Sequence, residues 1–222
     1  MAETAALESK RGAARPVIDR REQILDVAQE IVQRVGYANF GYRELSVAVG
    51  IRKASIHYHF PKKEDLILAL VERYTANFVQ SLEVIADTFS TSTERLDAYF
   101  SLFENTLAES HNEKCCLAGV MGAEIGALPV FVRDELLRFC KKNQTWLAAV
   151  IEQGIAKGAI HSSLVPKTAA QMIFSGLEGA MMLSRLHNSA NYLRGVITQL
   201  RDLTFIDKEK LHRGRRRARR VG

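Results

Sequence analysis

Cysteine is scarce in this chain, with three residues among 222, and two of them, Cys115 and Cys116, are neighbours. So few cannot make a disulfide framework, which excludes the small cross-linked secreted scaffolds. No uninterrupted apolar run reaches membrane-spanning length, and no basic–apolar–small leader opens the chain. A soluble, cytoplasmic protein with no membrane partner is expected. Strand-like alternation of useful length and internal repeats are also missing, which leaves an all-α fold. Between residues 62 and 87 there is neither glycine nor proline, so a helix starting there can run far enough to link two domains rigidly.

What the chain does have is charge, unevenly placed. Its formal balance is +6. Residues 1–63 carry 11 basic against 7 acidic side chains, residues 64–207 carry 12 against 17, and residues 208–222 carry 8 against 1. Basic ends bracket an acidic body, as expected where one segment neutralises phosphates and another does not. Residues 1–18 have no apolar period and read as a disordered arm. Six arginines fall within residues 213–220. A run so self-repelling makes 207–222 a basic disordered tail, either simply solvated or a second, sequence-blind grip on nucleic acid.

From Asp19 the apolar period is helical. Asp19 with Glu22 forms a capping box, and Ile24, Leu25, Ala28, Ile31, Val32 and Val35 make a stripe that Gly36 stops. In RELSVAV, Leu45, Ala48 and Val49 recur at helical spacing before Gly50 supplies a left-handed turn and Ile51 plugs it. In KASIHYHF, Ile56 and Phe60 share one side, leaving Ala54, Ser55, His57 and Tyr58 outward. Two short helices joined by a tight turn, the second with a small, polar outer face, suit a DNA major groove. Arg52, Lys53, Lys62 and Lys63 cluster where phosphates would lie. A plain helical hairpin has no use for that cluster. His57 and His59 sit two apart, roughly 200° around a helix, so they cannot share an ion, and neither a metal nor a cofactor is expected.

Residues 19–66 resemble the N-terminal domain of the TetR family of one-component repressors. The resemblance rests on Ser55-Ile56-His57-Tyr58-His59-Phe60 followed by Pro61-Lys62-Lys63. There are departures: His57 stands where the family usually has a phosphate-touching tyrosine, Gly41 replaces a capping Ser or Thr, and Lys62 replaces a small capping residue. The resemblance implies a three-helix helix-turn-helix domain over 19–63, joined by a long helix to a larger ligand-binding and dimerisation domain over 64–206. It implies a non-enzymatic, homodimeric repressor that binds double-stranded operator DNA and is released by a small molecule. Arg43, Arg52, Lys53, Ala54, Ser55, His57, Tyr58, His59 and Lys63 are the candidate DNA contacts. The last two helices would pair with their two-fold mates through Phe174, Leu177, Met181 and Val196.

Beyond residue 110, core and pocket helices read alike. Thr91 with Glu94 caps a fifth helix, and CCLAGVMGAEIGALP reads as a helix rich in small residues. Pro129 opens a seventh helix to about Lys157, with Phe131, Leu136 and Leu137 among its candidates for burial. Pro166 starts an eighth, and a ninth runs from about Ser189. Tyr99, Phe100, Phe103, Met121, Trp146, Met172 and Phe174 are candidate apolar lining, with Glu124 as a polar anchor. Cys116 or Cys115, near a helix start, could capture an electrophile; a buried structural thiol is the plainer alternative. The CCLAGVMGAEIGALP run and GIRKASIHYHF resemble a TetR subgroup similar to acrylate-responsive regulators, whose ligands are small and unsaturated. Two other classes remain open: a DNA-binding protein without an effector, and a helical enzyme using Cys116. The second is disfavoured, since His111, His161 and His187 carry no nucleophile motif.

Overall fold

The computed structural model describes residues 19–206, so the arm over 1–18 and the tail over 207–222 lie outside the described residues. Among the described residues there are nine α-helices: α1 (Arg20–Asn39), α2 (Tyr42–Val49), α3 (Lys53–His59), α4 (Lys63–Thr88), α5 (Ser92–Glu109), α6 (Leu117–Ala123), α7 (Val130–Ala156), α8 (Pro166–Leu186) and α9 (Asn191–Thr204). The only extended pairing among them is an isolated bridge between Ile160 and Phe205. No described helix is long and apolar enough to cross a membrane.

Local chemistry accounts for most helix ends. Asp19 accepts from the backbone N–H groups of Arg21 and Glu22 at the start of α1. Glu22 does not close a box with it; its carboxylate instead meets Arg73 of α4 at 3.0 Å. Gly50, left-handed at φ 73°, ends α2, and the Ile51 N–H returns to the Ser46 carbonyl. Asp65 accepts from the Lys62 N–H to start α4, and Thr91 with Glu94 forms the expected reciprocal box on α5.

A single continuous core runs from Ile24 and Leu25 of α1 through α4 to Leu193 and Ile197 of α9. At 26 residues, α4 spans about 39 Å. Its buried Leu66, Ile67, Leu70 and Val71 lie at the end near the first three helices, and Leu82 joins the same core further along. Helix α8 packs against both α7 and α9, and α4 lies along α7. Three residues expected inside are out: Val35, Phe131 and Leu137, the last 66% exposed, because α1 and α7 each turn a narrower face inward than the apolar count implied. The small-residue stretch is not one helix either: Cys116 caps α6, Glu124 ends it, and a 3-10 turn follows at Ile125–Ala127.

Gly36 breaks α1. The backbone turns there with φ 81° and ψ 176°, and then resumes helix to Asn39. That break frees the N–H groups of Tyr37 and Ala38, and both donate to Glu124 Oε2, at 2.6 and 3.1 Å. A Cβ at Gly36 would stand 2.5 Å from Glu124 Oε1. Gly36→Ala therefore meets both a left-handed backbone and the carboxylate. It should lower unfolding free energy by about 1–3 kcal/mol in urea titration, and an unchanged midpoint would show that the break tolerates a side chain.

Candidate nucleic-acid interface and effector site

Helix α3 is seven residues long, too short to persist alone, and its neighbours hold it. Ile56 and Phe60 anchor its inner side. The Tyr42 hydroxyl bridges the carbonyls of Phe60 and Lys62, at 2.9 and 2.7 Å, so it fixes the chain just past α3. Outward stand Lys53, Ala54, Ser55, His57 and Tyr58, with Arg52 before them and Arg43 on α2; His59 is half-buried. Tyr58 is 84% exposed, the most exposed large hydrophobic side chain among the described residues.

Lys63 is placed differently from the rest. Its ammonium donates to the Tyr37 carbonyl at 2.7 Å and lies 4.1 Å from the centre of the Tyr37 ring. Partial burial lowers its pKa, with Glu64 and Glu124 opposing. It is half-buried and already engaged at the broken end of α1, whereas Lys62, one residue earlier, is exposed. Around that joint, Gln33 Nε2 donates to the Cys115 carbonyl at 2.9 Å, Arg34 meets Glu113 at 2.6 Å, Lys114 pairs with Glu30, and Arg185 donates to the Arg34 carbonyl.

Within the body, the expected lining residues divide. Tyr99, Phe100, Phe103, Cys116, Met121 and Phe174 are buried. Phe103 and Cys116 border a narrow cavity of about 20 Å³ with Tyr74, Phe78, Leu102, Thr106 and Met181. Trp146 stacks on Tyr99 at 5.7 Å and also borders a separate surface groove between α4 and α7. Two expectations fail. Met172 points to solvent, and Glu124 serves α1 rather than the cavity.

Two polar groups that sequence reading passed over lie in this interior. Asn143 accepts from the Tyr99 hydroxyl at 2.9 Å while its Nδ2 has no partner. Glu178 of α8 reaches α6, where its Oε2 occupies the space that a Cβ at Gly119 would take. Its Oε1 is buried without a partner, and the carboxyl lies close enough to the Cys116 thiol for each to perturb the other. Tyr74 OH donates to Cys116 Sγ at 3.5 Å. Burial pushes the Glu178 carboxyl up to about 7, and burial together with Glu178 holds the Cys116 thiol well above its usual range. The two cysteines face different ways: Cys115 borders an outer groove with Arg34, Glu124 and Arg185, and Cys116 borders the cavity.

Residues 24–70 match the family described as bacterial regulatory proteins, tetR family, and residues 92–200 match the tetracyclin repressor-like C-terminal domain. A TetR-family transcriptional regulator from Agrobacterium tumefaciens superposes with a TM-score of 0.80 at 30% identity, covering 84% of this chain and 97% of that one. The chain belongs to the TetR family. It is a helix-turn-helix DNA-binding transcriptional regulator with a ligand-binding C-terminal domain. Transcriptional regulator AcuR of Cereibacter sphaeroides is 27% identical over 74% of this chain and 76% of that protein. FadR of Bacillus subtilis in complex with stearoyl-CoA shares the TetR fold, with a TM-score of 0.64 at 23% identity over 81% of this chain and 96% of that one.

In this TetR-family body, the residues expected to meet a two-fold mate are mostly spent inside the protomer. Phe174, Leu177 and Met181 are buried in the core, and Val196 is half-buried. The exposed apolar side chains of α8 and α9 are Met172, Met182, Leu183, Leu186, Tyr192 and Leu203, with Leu186 77% exposed. Helix α8 is apolar on two sides, and sequence period alone assigned the wrong one to the outside.

The raised Glu178 carboxyl makes stability fall with pH. Its acid form is favoured in the fold, so its contribution is complete below about 4.5 and is lost as pH rises towards 7. The loss should amount to at most about 3 kcal/mol between pH 5 and pH 8 in urea titrations. Glu178→Gln should flatten that difference; an equal pH slope in both proteins would show that Glu178 does not titrate in this range.

Proposed function

We propose that this protein is a homodimeric repressor in the cytoplasm, in which residues 19–63 read operator DNA and residues 64–206 bind a small, mostly apolar or electrophilic effector that releases it. The observation that carries the proposal is the joint between Glu124, Tyr37 and Lys63. Helix α6 supplies both Cys116 at its start, on the cavity, and Glu124 at its end, on the reading head. A ligand that shifts α6 must move or break the contacts that orient α1 and the start of α4. Release then follows from linkage: the effector favours a dimer whose α3 helices no longer sit about 34–36 Å apart, one turn of DNA. The resemblance to acrylate-responsive regulators and the small cavity both favour a compact effector. Repression matches the usual mode of the family. The alternative, a DNA-binding protein without an effector, leaves the unpartnered polar groups of the interior without a use.

The reading head is tested with a duplex that the protein selects from random DNA. Lys62→Ala should weaken binding equally on selected and unselected duplexes and reduce the slope of log affinity against log salt by about one. Tyr58→Ala should cost more on the selected duplex. Failure of the wild-type protein to enrich any sequence would remove the DNA-reading function, and equal losses for both variants on both duplexes would remove the division of roles.

Dimerisation is proposed to use the exposed face of α8 and α9. Leu186→Glu should leave the fold intact and yield monomers in sedimentation velocity, because its carboxylate stays solvated once the protomers part. Leu177→Glu buries a charge in the protomer core and should unfold the chain. A Leu186→Glu protein that remains dimeric places the interface elsewhere.

A further inference from the structure

The surroundings of Cys116 hold chemistry that neither the fold nor the family membership calls for. A buried carboxyl is ordinarily paired; Glu178 has one oxygen with no partner and lies against α6 at Gly119, three residues beyond Cys116, whose thiol feels its charge. We propose that Glu178 is the general base that arms Cys116, and that the two form a covalent effector site for small α,β-unsaturated carbonyl compounds. The proposal rests on the electrophile reading of the effector given above and assigns the residue that makes it work.

Geometry supports each part. Cys116 lies at the start of α6 and borders the cavity, whose other walls are Tyr74, Phe78, Leu102, Thr106 and the flexible Met181. Phe78, Leu102 and Thr106 are only half-buried, so the cavity has a route to solvent. At about 20 Å³ it has room for one water, and a guest of a few heavy atoms enters only by displacing side chains. Gly119 lets the carboxyl lie against α6 beside the thiol. Tyr74 OH already points at the sulfur and can stabilise charge as it develops there.

A resting thiolate is not available, because burial and the neighbouring carboxyl both oppose it. The proton must leave as the sulfur attacks. The Cys116 S–H proton passes to the ionised Glu178 carboxylate, and the sulfur electron pair forms a C–S bond to the β-carbon. The C=C π pair moves to the α-carbon and its carbonyl, and the proton then returns from Glu178 to the α-carbon. The product is a thioether; nothing is oxidised, and no further reactant is consumed. A base that titrates near neutrality suits this exchange. The other titratable groups facing the pair are Tyr74 on α4, Tyr99 on α5 and Cys140 on α7, all held neutral by burial, while Cys115 faces Arg185 instead.

The test follows adduct formation by intact mass on the full-length protein with methyl vinyl ketone, with peptide mapping to locate it. Wild-type protein should be modified at Cys116, with a rate that rises to about pH 7 and then levels. Glu178→Gln should react about 100-fold more slowly at pH 7.5 while still binding its selected duplex. Equal or faster addition in Glu178→Gln, as expected if the carboxylate only suppresses the thiolate, would overturn the proposal. If Glu178→Gln fails to fold, the wild-type profile decides: levelling near pH 7 supports the base, and a tenfold rise per pH unit through pH 9 overturns it. Absence of any wild-type adduct at Cys116 would overturn the electrophile reading itself, an outcome distinct from the failure of Glu178 as base.

Discussion

The reading head meets the body at a joint in which one carboxylate, that of Glu124, satisfies the broken end of α1. A helix broken at Gly36 leaves backbone N–H groups without intrahelical partners, and Glu124 supplies the acceptor from 87 residues away in sequence. The same break exposes the Tyr37 carbonyl, which Lys63 takes at the first residue of α4. Three elements that a purely hydrophobic contact would leave free to slide are thereby pinned at single atoms. Charge pairs from Arg34 and Lys114 surround the joint but are partly solvated and contribute modestly. The directional bonds at the break fix α1 and the start of α4 against α6.

The second organising fact is the cost of polarity inside an aromatic core. Through the middle of the body, Phe78 meets Tyr74, Phe139 and Tyr99, and Tyr99 stacks on Trp146, at centroid distances of 5.1 to 6.4 Å. Within that medium Asn143 and Glu178 each leave an atom unsatisfied. Unmade hydrogen bonds in low dielectric destabilise a fold, typically by about 1–3 kcal/mol each, so their persistence fits a body that also binds ligands.

Much of the reading head was legible because its signals are local. Gly50, the Ile56–Phe60 anchor and the outward Tyr58 are each decided within a few residues by backbone conformation or helical phase. The Thr91–Glu94 box was legible for the same reason. The misplacements have a common origin in contacts between distant segments. Nothing near Glu124 reveals that it caps α1, and nothing near Lys63 reveals that Tyr37 holds it. Leu177 and Leu186 are equally apolar, and which one lies inside depends on how α8 rotates against α7 and α9. Glu178 was passed over because a lone glutamate in an apolar helix is indistinguishable in sequence from one reaching solvent; the glycine that admits it lies 59 positions earlier.

The Tyr42 hydroxyl, whose one proton is shared between two carbonyls, bears on how fast the protein finds its site. A seven-residue helix in isolation is mostly coil, and a reader that had to order it on contact would lose conformational entropy with each encounter. With the Phe60 and Lys62 carbonyls tied to Tyr42, that entropy is already surrendered in the free protein. Encounters along DNA then sample base edges with a shape that is already set, and a mismatched sequence is rejected on contact geometry alone, without a folding step to slow the search.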